Sequence, residues 1–402
     1  MTTGTARPAV SQGEFIALIA TMIATVAFSI DSMLPSLPSI AAELTPDAPN
    51  HAQLIVTFFM LGMGVGTFFV GPLSDAFGRK TVMLCGAVLY CAGALIALAG
   101  TTLEAVLIGR LIQGLGGAGP RIVALAMVRD LYKGREMARV VSFIMMVFTL
   151  VPAVAPMAGS FIIAGFGWRG VFVAFVIFSL LSSAWMMARQ PETLPVEARR
   201  PLRLPILLSG TREVLTNRSV LLSIAVQALI FGCMFATITS VQQIFDVTLG
   251  RGDEFPYWFA IGALLSGASS FLNARLVVRL GMRYLITTMV SVQFVISTIM
   301  ALSSGFGLIP EAALFPAVFF WFTSIFFMMG MTMGNLNAMA LEPMGHLAGL
   351  AASVIGGVAT VLGVMLASPV GLSFNGTVEP LAIGVACFTG LALLAMRALP
   401  AR

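Results

Sequence analysis

Gly71-Pro72-Leu73-Ser74-Asp75-Ala76-Phe77-Gly78-Arg79-Lys80-Thr81-Val82 sets a Gly/Asp/Gly/Arg/Lys turn between two long apolar runs. Glycine and proline punctuate the backbone there, and the charges fall between stretches that contain almost none. Such a segment reads as a joint between two membrane helices. A helix needs about 20 apolar residues to cross the hydrocarbon core. Working outward from the joint, runs of that length are expected at 14-38, 52-72, 80-100, 103-126, 138-164, 168-188, 219-242, 256-277, 283-304, 311-333, 347-368 and 380-397.

The composition agrees with this pattern. With 58% hydrophobic and 10% charged residues and a mean hydropathy of +0.99, the chain has too little polar surface to cover a water-soluble globule of 402 residues. The runs are too long for barrel strands, and open strands would leave backbone groups unpaired in lipid. The fold class is therefore all-α membrane protein with twelve transmembrane helices. The first run is too long for a signal-peptide core and is expected to stay as an uncleaved first helix.

Orientation follows from Lys and Arg. Eighteen of the 22 basic residues, from Arg7 through Arg79, Lys80, Arg129 and the 189-218 segment to Arg402, fall on one set of loops. The positive-inside rule puts those loops and both termini in the cytoplasm. The pI of 9.4 then reflects topology and implies no nucleic-acid partner. Cys85, Cys91, Cys233 and Cys387 lie inside expected spans without metal-type spacing, so they read as small buried residues and no metal site is expected.

Gln190 to Pro205 carries four prolines and several charges. A linker of that kind at mid-chain suggests two six-helix bundles, 1-189 and 219-402, joined by a cytoplasmic linker at 190-218. A weak internal echo supports two halves related by pseudo-two-fold symmetry. Asn273 to Arg283 follows span 8 as the opening stretch follows span 2, and Gly78 aligns with Gly281 at an offset of 203 residues.

Charges inside spans mark function because they are expensive there. In span 4, Leu107 to Ala118 places Arg110 about 10 Å into the helix. Arg110, Gln113 or Gly114, Gly117 and Arg121 share one face, where the glycines also permit close helix contact. Arg121 lies nearer the cytoplasmic end, where it either lines a cavity or snorkels. In span 1, Asp31 sits at a matching depth, with Ala27, Ala24 and Ala20 behind it. Asp31 and Arg110 can therefore meet; alternatively, Asp31 caps the end of span 1 that Pro35 and Pro38 break. Asp75 is expected to cap the helix after it or to take a charge from a neighbour, with Arg79 and Lys80 at the headgroups. Pro152, Pro156 and Gly159 in span 5 predict a kinked, closely packed helix. His51 and His346 fall at span edges.

These patterns carry a resemblance. G-P-L-S-D-x-x-G-R-K after span 2 closely resembles the signature of the major facilitator superfamily (MFS), and R-x-x-Q-G-x-G-x-A in span 4 resembles its proton antiporters. Together with D-x-x-L-P-x-L-P in span 1, Val128-Arg129-Asp130-Leu131-Tyr132, Gly167-Trp168-Arg169 with Phe172, and Pro191-Glu192-Thr193, they resemble the bicyclomycin/chloramphenicol-resistance (Bcr/CflA) branch of drug:proton antiporters. The second half resembles it chiefly at Ala340 to Gly349. The resemblance implies an MFS fold, with Asp31 and Arg110 in proton coupling. It implies a substrate site drawing on Asp31, Gln113, Arg121, Gln227, Phe231 and Phe235, and gating by Gly71, Asp75, Gly78, Arg79, Lys80, Pro152, Pro156 and Gly159. Departures are Ile23, two turns before Asp31 where some relatives carry a second acid, and Val278, where the first half has Asp75.

In the second half Gln227, Phe231, Phe235, Gln242, Trp258, Asn273, Phe319, Phe320, Trp321 and the Met-rich run from Met328 to Met333 form an expected apolar binding wall, with helix packing as the alternative for each residue. The expected activity is proton-coupled efflux of small amphipathic compounds across a bacterial cytoplasmic membrane. It would be driven by the proton gradient without a cofactor, by a chain functional as a monomer. The alternative within the fold is a carrier for a specific metabolite such as a sugar, amino acid or siderophore. No phosphate loop G-x-x-x-x-G-K-[ST] and no H-E-x-x-H occurs, which argues against an ATP-driven pump and a zinc enzyme.

Overall fold

The computed structural model describes residues 10–399, so Arg7 and Arg402, which entered the orientation argument, lie outside the described residues. The described chain is helical throughout. In order the α-helices are α1 (Gln12–Asp31), α2 (Leu37–Leu44), α3 (Leu54–Phe77), α4 (Arg79–Ala99), α5 (Leu103–Leu131), α6 (Gly134–Arg189), α7 (Leu204–Thr216), α8 (Arg218–Gln243), α9 (Phe255–Leu280), α10 (Met282–Gly305), α11 (Glu311–Leu341), α12 (Ala348–Leu372) and α13 (Glu379–Ala398). Several starts are capped as short polar residues should cap them. Ser11 accepts from the Glu14 amide, Thr102 from Ala105, and Asn217 from Ser219 and Val220.

Ten continuous stretches are long and apolar enough to cross a membrane. Two of them are too long for one crossing. α6 has 56 residues, about 84 Å of helix against a core of about 30 Å, and it breaks at Gly167, whose φ of 68° no helix accommodates. Glu311–Leu372 has 62 residues and is interrupted by the 3-10 segment Glu342–Leu347. Counting each as two gives the twelve crossings that the hydropathy pattern predicts.

Two expected boundaries shift. The joint at 71-82 is not a loop: α3 runs on through Gly71, Pro72 and Asp75 to Phe77, and only Gly78 separates it from α4. The 190-218 linker is not irregular throughout, because Val196–Ala198 forms a 3-10 turn and Leu204–Thr216 forms α7.

The chain divides into two compact units. One takes the chain up to Met33 together with Phe58–Leu207; the other takes Leu34–Thr57 and the chain from Leu208. In the first unit, α4 and α5 are brought together by glycines seven apart on each helix, Gly86 and Gly93 against Gly116 and Gly109. A Cβ on Gly109 would meet the Gly93 carbonyl oxygen at 2.7 Å. Gly62 and Gly66 of α3 lie equally close to the Leu111 and Leu115 turns of α5. In the second unit, α8 is buried along most of its length and α9 along little of it, so α8 is central and α9 carries exposed apolar bulk such as Phe271. The segment Leu34–Thr57 is fixed within this unit by polar contacts. Asn50 donates to the carbonyls of Leu372 and Phe374 at 3.0 and 2.7 Å, and Gln53 donates to Gln243.

Candidate functional site

At the joint between α3 and α4, Gly78 (φ 99°) caps α4 with no side chain of its own, leaving the first amides of that helix to find acceptors elsewhere. They find Glu192. Its carboxylate accepts from the amides of Arg79 (3.0 Å) and Lys80 (3.1 Å), and also from those of Thr193 and Leu194 (2.9 and 3.0 Å). A negative charge at a helix N-terminus is also where the helix dipole favours it. Of the two roles expected for Asp75, capping α4 or taking a charge from a neighbour, the structure shows the second. Asp75 accepts from the Arg79 guanidinium, while its carbonyl takes the Arg200 amide at 2.9 Å. Arg79, 8% exposed, also donates to Ser74 (2.8 Å) and to Asp130 (3.0 Å), which in turn accepts from Thr193. Lys80 reaches the carbonyl of Met187 at 2.9 Å. Gly71 lies inside α3 and its carbonyl accepts from Ser74. Glu192, 112 residues from Lys80 in sequence, is the member of this cluster to which the sequence reading gave no role; its only signal was the Pro191-Glu192-Thr193 motif.

Deeper in the same unit, a polar cluster surrounds Arg110, which is fully buried. Its guanidinium donates to Gln113 Oε1 at 2.8 Å and to the Ser29 carbonyl at 3.0 Å, and lies 4.4 Å from the centroid of the Phe59 ring. The Ser29 hydroxyl bonds to Tyr90 and donates to the Thr25 carbonyl. Asp31 ends α1, 5% exposed, and makes no hydrogen bond or ion pair among the described residues. Arg110 therefore meets α1 at Ser29 rather than at Asp31. Two residues along a helix is a rotation of about 200°, so the faces carrying Ser29 and Asp31 point apart. Pro152 and Pro156 lie within α6, and Gly159 is packed so closely on the Ser32 backbone that a Cβ would overlap its carbonyl. Arg121, also on α5, is exposed.

In the second unit Gln227 is 1% exposed, and neither its amide oxygen nor its nitrogen has a partner among the described residues. Phe231 and Phe235, one and two turns on, stack with ring centroids 5.3 Å apart. The rest of the expected wall is largely packing. Trp258 lies edge-on to Phe315 and Phe319 between α9 and α11, Trp321 donates to Ser297 at 2.9 Å between α11 and α10, and Asn273 pairs with Asn335. Gln242 is 4% exposed with an unpartnered Oε1, and Phe320 is turned outward, 63% exposed. Two concavities of about 490 and 520 Å³ involve none of these residues.

Comparison with known proteins matches residues 17–368 to the family model of the Major Facilitator Superfamily. A bicyclomycin resistance protein homolog of Haemophilus influenzae is 31% identical over 382 residues, covering 93% of each chain. The multidrug resistance protein MdtL of Citrobacter koseri is 28% identical over 92% of each. Among solved structures, a D-xylose-proton symporter superposes with a TM-score of 0.74 at 14% identity over 95% of this chain and 97% of that one. A peptide transporter in complex with sulfate gives 0.71 at 12% over 98% and 96%. At such identity the two structures speak for the fold alone.

Proposed function

Because this chain belongs to the major facilitator superfamily, we propose that it exports small amphipathic compounds across a bacterial cytoplasmic membrane in exchange for protons, by alternating access of its two halves. It is a transporter and not an enzyme. The observation that carries the proton-coupled reading is Asp31, a carboxylate buried inside a membrane helix with no cation paired to it. An ionisable group so placed marks a proton or substrate path. With no partner in the protein, Asp31 is the group that loads and releases the proton, and the coupling is that proton and substrate favour different states of the site. Each ligand must bind the inward and outward states with different affinity for that coupling to drive transport.

The names of the relatives, bicyclomycin resistance and multidrug resistance, support drugs as cargo. Phe231 and Phe235 supply flat apolar surface and the unpartnered Gln227 amide supplies hydrogen bonds to a substrate's polar atoms. Arg110, satisfied by Ser29 and Gln113, fixes α1 against α5 and so holds Asp31 in place. Twelve crossings put both termini on one side, and the positive-inside rule makes that side cytoplasmic. One chain supplies both halves, so the monomer is the working unit, and the proton gradient replaces any cofactor.

The test is substrate-induced proton release from the purified chain, over a panel of phenicols, quinolones and lipophilic cations. Native protein is expected to release protons, and Asp31→Asn to bind the same compounds without release. Release that survives in Asp31→Asn moves the proton site elsewhere. No release with any compound favours a carrier of a specific metabolite.

A further inference from the structure

Two arginines lie well inside α5, and the structure treats them differently. Arg110 is buried and held by Ser29, Gln113 and the Phe59 ring. Arg121 is exposed and makes no hydrogen bond, ion pair or ring contact among the described residues. Eleven residues separate them, which is about 16 Å along the axis and about 20° around it, so they share a helix face.

What Arg121 is exposed to follows from its azimuth. It stands ten residues from Leu131, the end of α5, about 15 Å of helix, with the last turn engaged through Asp130 at the α3–α4 joint. With the hydropathy span ending near residue 126, Arg121 stands about 8 Å inside the hydrocarbon edge, so azimuth rather than depth distinguishes lipid from water. A guanidinium facing hydrocarbon there costs several kcal/mol, by order of magnitude. The large apolar side chain that α5 exposes is Ile108, 54% exposed. Thirteen residues on, Arg121 lies about 140° around the helix from it, away from the lipid-facing side. Arg121 is thus open to water on the face of the helix that it shares with Arg110.

An unpaired guanidinium on the watered face of a transporter helix is an anion-recognition element. Its planar fork matches a carboxylate or a comparable oxyanion with two parallel hydrogen bonds, which a lysine ammonium does not. The charge count points the same way. Along the interior of α1 and α5 the ionisable side chains are Asp31, Arg110 and Arg121, so the positive sign predominates. We propose that Arg121 selects substrates that carry an oxyanion, typically a carboxylate, on an apolar body. The proposal rests on the export reading above and narrows its substrate class away from lipophilic cations.

The experiment uses the full chain in phosphatidylcholine nanodiscs, native and as Arg121→Gln and Arg121→Lys. The probes are a fluorescent aryl carboxylate of the quinolone type without a basic amine, its methyl ester, and tetraphenylphosphonium. Native protein is expected to bind the acid more tightly than the ester. Arg121→Gln is expected to weaken the acid by about tenfold while the ester stays within about twofold, the loss of one charge-assisted contact. Arg121→Lys should fall between. An acid affinity unchanged in Arg121→Gln, or acid and ester weakened alike, overturns the assignment and leaves the export reading standing. Displacement of the acid by added phosphatidylglycerol would make this a lipid-headgroup site and also overturns it. If native protein binds none of the three, this proposal falls, while the export reading stands or falls separately on proton release over the wider panel.

Discussion

Gly78 and Gly281 each start a long helix from a positive φ, 99° and 82°, with nothing but the glycine between that helix and the one before. At both joints a basic residue two positions on reaches carbonyls near the end of another helix of its own unit. Lys80 donates to Met187, and Arg283 donates to Met396 and Leu399 at 3.1 and 2.9 Å. The carboxylates are what differ. Asp75, Asp130 and Glu192 surround Arg79 and the α4 amides, whereas Val278 stands in the place of Asp75, 87% exposed, and nothing lies within 4 Å of where a Gly281 Cβ would be. Turn geometry asks only for glycine, and helix-end tethering asks only for a cation. The first joint has in addition three acidic residues, Asp75 beside it and Asp130 and Glu192 distant in sequence.

Removing the central cation should separate the two joints most. Arg79→Ala leaves Asp130 and Asp75 facing each other at a site where Arg79 was 8% exposed, a loss of about 3 kcal/mol. Arg283→Ala frees the main-chain carbonyls of Met396 and Leu399 and should cost about 1 kcal/mol. Apparent unfolding midpoints in detergent at one fixed scan rate read the difference. Equal shifts would mean that the carboxylates contribute nothing beyond the tether.

A smaller effect is expected from the glycines themselves. Gly281→Ala suffers only the disfavoured φ, about 1 kcal/mol. Gly78→Ala suffers the same and also places a Cβ 2.5 Å from Glu192 Oε2 and 3.0 Å from Arg199 Nη2, for about 2 kcal/mol in all. The signature is local. Amide exchange at Lys80, Thr193 and Leu194, all bonded to Glu192, should quicken in Gly78→Ala and stay unchanged in Gly281→Ala. Quickened exchange in both, or in neither, removes Glu192 as the clamp.

The same contrast marks how far the sequence could be read. Apolar runs and their flanking charges give twelve crossings because burial in lipid acts on every residue of a run, and Gly78 and Gly281 are legible because a backbone conformation depends on one residue. Glu192 was not, because the Arg79 and Lys80 amides that donate to it lie more than a hundred residues away and no local pattern encodes the meeting. The Asp31–Arg110 pairing failed for a different reason. Counting residues gives depth along a helix well, but which side of α1 faces α5 is settled by packing, and Ser29, not Asp31, is on that side. Gln227 and Phe231 lie on the central α8, as expected, while Trp258 and Trp321 read equally well as wall or as packing, and the structure adds ring contacts for the first and a hydrogen bond to Ser297 for the second.

The smallest effect tests whether a pair alone can make a lock. Val278→Asp restores the acid, yet four residues on the second joint has Met282 where the first has Arg79, so the new carboxylate has no guanidinium to accept from. Because the position is 87% exposed, the change should stay within about 0.5 kcal/mol. Adding Met282→Arg completes an Asp–Arg pair at the spacing of Asp75 and Arg79, and an exposed pair at that spacing contributes only about 0.3 to 0.5 kcal/mol. At the same 203-residue offset Met333 and Ala395 stand where Asp130 and Glu192 stand, so the second and third acids are still missing. The double variant should therefore melt within a degree or two of native protein. If instead it gains as much as Arg79→Ala loses, the local pair is sufficient, and the long-range acids of the first joint serve something other than holding it closed.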